Sequence, residues 1–311
     1  MGLTTDLTEA LRDDPGRLPA LDASQAVSWR DALSALIALH DLHLAPIETL
    51  GASVRLQHDP DTARVKRDLE ARLVAHLDAA SSSPRLQADA VGELRRIAKQ
   101  DLVPEAYEWL AREASFDELR HFLAIEGGPD GGFDDLVAIC QIGLTGTAKL
   151  VLGANYWDEM GRGEPDAVHT ELHRRLVRAL DLSAPEDALP IEALERTALN
   201  GLLATNRWLQ PEMIGALGLL ELQAGPRCRR VLAALQRLGA PADAFPFYEE
   251  HAAADPRHGK DWLERGVRAV EEAIPDASQH IVRGARWRSD VNHRLFESLR
   301  THCAHGAPRA A

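Results

Sequence analysis

The chain has 311 residues, with 35 Lys or Arg against 48 Asp or Glu, a net charge of −13 with histidine neutral. Such an acidic balance excludes a non-specific nucleic-acid binder, which displaces counterions with basic side chains, and disfavours an anionic membrane surface as partner. No apolar run nears the ~20 residues that span a bilayer, the three cysteines (Cys140, Cys228, Cys303) are too scattered for a disulfide framework, and residues 1–14 lack the basic start and apolar stretch of a secretory signal, so a cytoplasmic location is expected.

Strand-type alternation is nearly absent, and Ala, Leu, Glu and Arg dominate, which points to an all-α fold. Residues 1–24 mix turn formers with short apolar pieces and read as a flexible N-terminal extension. Periodic stretches predict helices over 25–45, ending at Pro46, and over 61–80, 85–100 and 104–114. Together, residues 25–114 read as a helical portion packed on a bundle formed by 115–303. At Ser115, S-F-D-E is a capping-box pattern that opens a helix through Glu126, followed by the turn-rich GGPDGG at 127–132. Residues 133–160 carry one or two helices stopped by Gly161 and Gly163, and Pro165 restarts a helix in a favoured first-turn position. Further helices are expected over 192–207, 211–223, 226–238, 244–255, 261–274 and 277–302. No 20–50-residue period signals a solenoid.

The densest chemistry lies in FYEEHAAADPRHGKDW, residues 247–262. His251, Asp255 and His258 stand at i, i+4 and i+7, which is one stripe of a helix. Two imidazoles and a carboxylate suit iron, manganese or zinc. The small Ala252, Ala253 and Ala254 leave an exposed polar turn as the bland alternative. Pro256 removes the amide that would bond the Ala252 carbonyl and costs a helix interior ~3 kcal/mol. Either the helix breaks there or metal coordination offsets the strain.

In NYWDEMGRGEPDAVHTELHRRL, residues 155–176, Glu159 and His169 are ten residues apart. On one straight helix they would be roughly 80° out of line. Gly161, Gly163 and Pro165 instead predict a bend through which the two converge, with a purely structural turn as the competing reading. Asp158 cannot point the same way as Glu159, and His173 shares the His169 face but reads as the wrong histidine. Glu221, within the apolar GALGLLELQAGPR, is costly to bury unless paired or metal-bound; otherwise it is a surface position.

Taken together, D-E-M-G-x-G-x-x-x-x-x-H-x-E-L, an E-L-Q helix and E-x-H-x-x-x-D-x-x-H resemble the haem-oxygenase-like diiron oxidases, also called the iron-containing redox enzyme family. The resemblance spans roughly residues 115–300 and includes the thirty-residue spacing from Glu221 to His251. It implies a haem-oxygenase-like multi-helix bundle, with an N-terminal helical extension, holding two Fe2+ ions between core helices and using O2 as co-substrate. Carried over, Glu159, His169, Glu221, His251, Asp255 and His258 are the implied ligands. A further carboxylate from an earlier helix is also implied. Glu126 is the candidate, and Glu118, whose place near a helix start the helix dipole explains equally well, is the runner-up.

Two ferrous ions together can deliver two electrons to dioxygen, while the protein supplies position and electrostatics. The resemblance implies an oxidase or oxygenase for a small amine, amino acid or carboxylic acid, acting by N-oxygenation, desaturation or oxidative C–C cleavage, with an external electron donor as a further partner. A substrate carboxylate would favour a bidentate arginine; Arg283, Arg286 and Arg288 of RGARWRS are on offer, each also readable as a solvated basic face. His40 and His43 have no acidic neighbour on their face except Glu48 and are discounted as ligands. GGPDGG lacks the G-x-x-x-x-G-K-[ST] arrangement and a preceding strand, so nucleotide binding is not expected. The rival readings are a metal-free or haem-binding member of the same helical fold, and a non-catalytic helical interaction protein. The first hundred residues carry no motif, leaving packing on the bundle or a homodimer contact as their open roles.

Overall fold

Among the described residues every regular element is helical, so the fold is all-α. The computed structural model describes residues 2–13, 22–81, 89–127, 132–183 and 189–304, apart from the side chains of 10–13, Asp255 and 302–304. Most of the GGPDGG and SSSP turns and the Cys303 side chain therefore lie outside the described residues. No helix among them is long and apolar enough to cross a membrane. Contacts divide the chain into two units, residues 1–82 with 194–207, and residues 83–193 with 208–311.

The first unit contains α1 (Leu3–Asp13), α2 (Trp29–Leu44), α3 (Ile47–Leu50) and α4 (Pro60–Ala80). Asp31 of α2 accepts from the Leu3 and Thr4 amides at 2.9 Å each, satisfying donors that a helix start leaves orphaned, and Leu3 and Leu7 are fully buried. Asp59 caps α4 ahead of Pro60, whose fixed φ and missing amide suit the first turn. His40 does have an acidic partner, which the sequence reading missed: Glu70 of α4 lies 2.9 Å from its Nε2. Glu70 also accepts from Lys66 Nζ and Asn206 Nδ2, each at 2.7 Å, which ties the carboxylate into a buried network, while His40 Nδ1 is left without a hydrogen-bond partner.

The second unit contains α5 (Ala90–Gln100), α6 (Glu105–Arg112), α7 (Phe116–Glu126), α8 (Phe133–Cys140), α9 (Gly146–Glu159) and α10 (His169–Leu180). α11 (Ile191–Thr205) crosses the division at Leu194. Then come α12 (Gln210–Leu238), α13 (Pro246–Asp261), α14 (Arg268–Ala273) and α15 (Ala277–Ala304). The capping box at Ser115 is formed in both directions, and Glu118 Oε2 accepts from both the Ser115 amide and its hydroxyl at 2.7 Å.

Two prolines are carried inside helices where the sequence predicts breaks. α12 runs through Pro226 and α13 through Pro256, and a π turn over Trp262–Val267 joins α13 to α14. α12 buries Leu217, Leu219, Val231 and Leu235. Each such side chain is worth roughly 1.5–3 kcal/mol, which outweighs the ~3 kcal/mol of an internal proline. Its polar members are also placed: Gln223 and Arg227 donate to the Asp101 carbonyl at 3.1 and 2.7 Å, closing the end of α5. At Pro256 the Ala252 carbonyl, deprived of its helical donor, instead faces Arg229 Nη1 at 3.4 Å.

Glycines set how closely these helices approach. A Cβ on Gly215 of α12 would lie 1.8 Å from the Ile281 carbonyl oxygen of α15, and one on Gly259 of α13 would lie 2.9 Å from the Glu221 carbonyl oxygen. Backbone-to-backbone contact at these points fixes the rotation of α12 and α13 about their own axes.

Candidate metal centre

The approach of Glu159 to His169 starts with three successive residues in left-handed conformation: Gly161 (φ 59°), Arg162 (φ 54°) and Gly163 (φ 91°). Only glycine enters this region without steric cost. At Gly161 space demands it as well, because a Cβ would sit 2.5 Å from the Ala167 carbonyl carbon. Arg162 has no such exemption and is held by ion pairs to Asp158 (3.2 Å) and Glu250 (3.1 Å). Pro165 starts a 3₁₀ turn rather than the expected helix. α10 begins instead at His169, which places its Nδ1 2.7 Å from Oε2 of Glu159, the last residue of α9.

Onto this pair α13 projects His251. The His251 Nδ1–H donates to the Phe247 carbonyl at 2.7 Å, leaving Nε2 for another partner, and its ring lies 4.5 Å from that of His169. Glu159, His169 and His251 each offer a ligand atom, all within 4.8 Å of one another. Burial pushes the His251 imidazole below its ordinary value. Burial acts the same way on His169, but the Glu159 carboxylate outweighs it and raises that imidazole.

His258 lies seven residues further along α13 and meets different partners. Its Nε2 is 2.7 Å from Asp158 Oδ2 and its Nδ1 is 3.6 Å from Glu221 Oε2. Glu221 is not a surface position: α12 buries it to 4 % exposure, with Asn155 Nδ2 donating to Oε1 at 2.9 Å. Burial first, and then the negative Glu159, push its carboxyl up to about 8. The Asp255 side chain lies outside the described residues; its backbone is in α13 between the two histidines.

Glu126 ends α7 and accepts from the Tyr107 hydroxyl at 2.8 Å. Burial, with the Glu126 charge, drives that phenol far above its ordinary range. Glu126, Glu159, His169, Glu221 and His251 all line one cavity of about 160 Å³, walled by Phe133, Leu220 and Phe247. Glu118 does not line it, its carboxylate being spent on Ser115. His173 lines the cavity as well and packs edge-on against Phe247. The three arginines considered for a substrate carboxylate are not among the lining residues. Arg283 pairs with Glu212 (3.2 Å), Arg286 contacts Glu93 (3.4 Å), and Arg288 is fully buried.

Two polar residues at the site, Asn155 and Asp134, escaped the sequence reading, as did the partner of a third, Asp158. Asn155 stands one turn before Glu159, and that i−4 spacing was its available signal. Asp134, at the start of α8, lines the cavity with Oδ1 buried and unpartnered, and burial raises its carboxyl. Asp158 turns away from Glu159 as expected, yet in doing so it reaches His258.

The residues present suit a cation. His169 Nε2, Glu221 Oε2 and Asn155 Oδ1 are buried without hydrogen-bond partners, whereas such groups are normally satisfied. His169 Nδ1 lies close to Glu159 yet outside hydrogen-bonding geometry. Imidazole nitrogens and carboxylate oxygens are donors that iron accepts.

A search of curated proteins returned no match. The family model described as "Iron-containing redox enzyme" matches residues 120–293, more than half of the chain. That span contains Glu126, the α9–α10 turn, Glu221 and both histidines of α13. The haem-oxygenase-like all-α fold and this match agree, and the chain belongs to the iron-containing redox enzyme family.

Proposed function

We propose that the chain is an oxygen-dependent non-haem diiron oxidase or oxygenase acting on a small amine, amino acid or carboxylic acid. The observation that carries this reading is the pairing of His251 with Glu159 and His169, and of His258 with Glu221, two turns apart on one helix. Glu159, His169 and His251 would hold one iron, and Glu221 and His258, with Asp255, the other; Glu126 would add a carboxylate from the cavity side. Bound as a pair, ferrous ions supply two electrons to dioxygen.

The protein's own part is positioning and exclusion. The Phe247 carbonyl keeps the proton on His251 Nδ1, so Nε2 carries the lone pair a metal would take. Asn155 fixes the Glu221 carboxylate through Oε1 and leaves Oε2 available. Phe133, Leu220 and Phe247 supply apolar wall between the cavity's carboxylates and imidazoles, and a small-molecule site combines such wall with placed polar groups. Asp134 stands outside both donor groups, and its buried Oδ1 is an acceptor suited to a substrate N–H. That favours the amine-bearing members of the substrate class.

Anaerobic Fe(II) loading followed by air tests the reading. The expected result is about two irons per chain, as in other bundle diiron proteins, a transient visible band, and dioxygen uptake stimulated by a member of an amine and amino-acid panel. A protein that takes up haem with a Soret band, or binds no iron, would overturn it.

A further inference from the structure

We propose that Asp158 is a positioning residue that selects the tautomer of His258 and so presents Nδ1 to metal beside Glu221; this rests on the diiron reading above. Asp158 Oδ2 lies 2.7 Å from His258 Nε2. An ionised carboxylate only accepts hydrogen bonds, so this contact places the ring proton on Nε2. Arg257 Nη2 also approaches Nε2, at 3.3 Å, but it is a donor and would need a bare nitrogen there. The shorter contact decides the tautomer. Nδ1 is then the basic nitrogen, and it is the one 3.6 Å from Glu221 Oε2, a buried oxygen with no hydrogen-bond partner. An imidazole nitrogen and a carboxyl oxygen turned toward each other in a buried site form half of a cation site.

Asp158 is itself over-determined. Its Oδ2 also takes Arg257, and its Oδ1 takes Arg162 at 3.2 Å. Histidine and arginine donors together hold its carboxyl below the ordinary range although burial opposes this. Arg162 is the left-handed residue of the α9–α10 turn that is not glycine, and it reaches on to Glu250 of α13. The same turn that delivers His169 to Glu159 therefore also anchors the carboxylate that orients His258. A ligating histidine is commonly fixed by a carboxylate on its other nitrogen, and loss of such a partner weakens metal binding about 10–100-fold.

Two readouts test this. In the metal-free protein, ring 15N NMR of His258, assigned by its absence in H258A, should show the Nε2–H form, and D158A should shift it toward Nδ1–H. In Co(II) and Fe(II) titrations, wild type should take up two ions. D158A should still take up an ion at Glu159 and His169, because Arg162 of the turn keeps its pair with Glu250, and should bind the second about 10–100-fold more weakly. D158N retains an acceptor oxygen and should fall between; it carries the test if D158A does not fold. Two ions of wild-type affinity in the variants, or an unchanged tautomer in D158A, overturns the role of Asp158 alone. A wild-type chain with no second ion overturns the diiron reading and this role with it.

Discussion

His251 and His258 lie on one stripe of α13 but meet different carboxylates: His251 that of Glu159, which ends α9, and His258 those of Asp158, beside it, and of Glu221, buried on α12. Seven residues of α-helix rise about 10 Å and complete nearly two turns, so the two imidazoles point the same way at different heights. On the diiron reading proposed above, one ion would not serve both, and the helix spacing would set out two neighbouring centres.

Each histidine should consequently control its own ion. H251A is expected to lose the ion shared with Glu159 and His169, and H258A the one beside Glu221. Iron per folded chain, measured after anaerobic loading, should fall to about half in either variant and to near zero in the double variant. Full loading of H258A would remove that residue from the centre.

Glu221 gives the metal-free protein a defined pH response. Its carboxyl, ordinarily near 4.5, is raised to about 8 by burial and by Glu159. Between those values the unfolded chain has lost the proton while the folded chain keeps it, so stability falls as pH rises and levels off above about 8. E221Q cannot ionise and should flatten this part of the profile. Denaturant melts of both proteins without metal, from pH 5 to beyond 8, provide the comparison; parallel slopes would contradict the assignment.

Gly161 cannot be replaced without moving the turn. G161A places a β-carbon 2.5 Å from the Ala167 carbonyl carbon in a left-handed backbone, where the conformation alone costs about 1–2 kcal/mol. A lower Tm and weakened uptake of the ion at Glu159 and His169 are both expected. A variant with wild-type melting and metal affinity would show that the turn is more adaptable than these contacts allow.

Pro256 is the strained point of the histidine helix. P256A restores the missing amide donor to Ala252 and should raise the Tm of the metal-free protein, by up to about 3 kcal/mol of stability. In wild type, hydrogen exchange over residues 249–260 should slow on Fe(II) binding, since coordination would tie both ends of this segment. Equal exchange with and without iron would count against ligation by α13.

Much of the local architecture is readable from particular residues. The Ser115 capping box and the stop at Gly161 are visible because caps and turns depend on neighbours within a few positions. Pro226 and Pro256 mislead for the same reason: their cost is local, whereas the burial that overrides it along α12 comes from residues far away in sequence. His40 illustrates the limit from the other side, since Glu70, thirty positions on, could not be paired with it from spacing.

What the sequence determined by itself is the helical class and the one-stripe placement of His251 and His258, because 3.6 residues per turn is a property of the backbone alone. Which carboxylate each histidine meets was decided only by tertiary structure. Glu159, Glu221 and His258 are brought together by α9, α12 and α13, whose rotations are set where glycines let backbones touch, at Gly215 against Ile281 and Gly259 against Glu221. Asp158 belongs wholly to that second level: its distance from His258 along the chain is a hundred residues, and 2.7 Å across the fold.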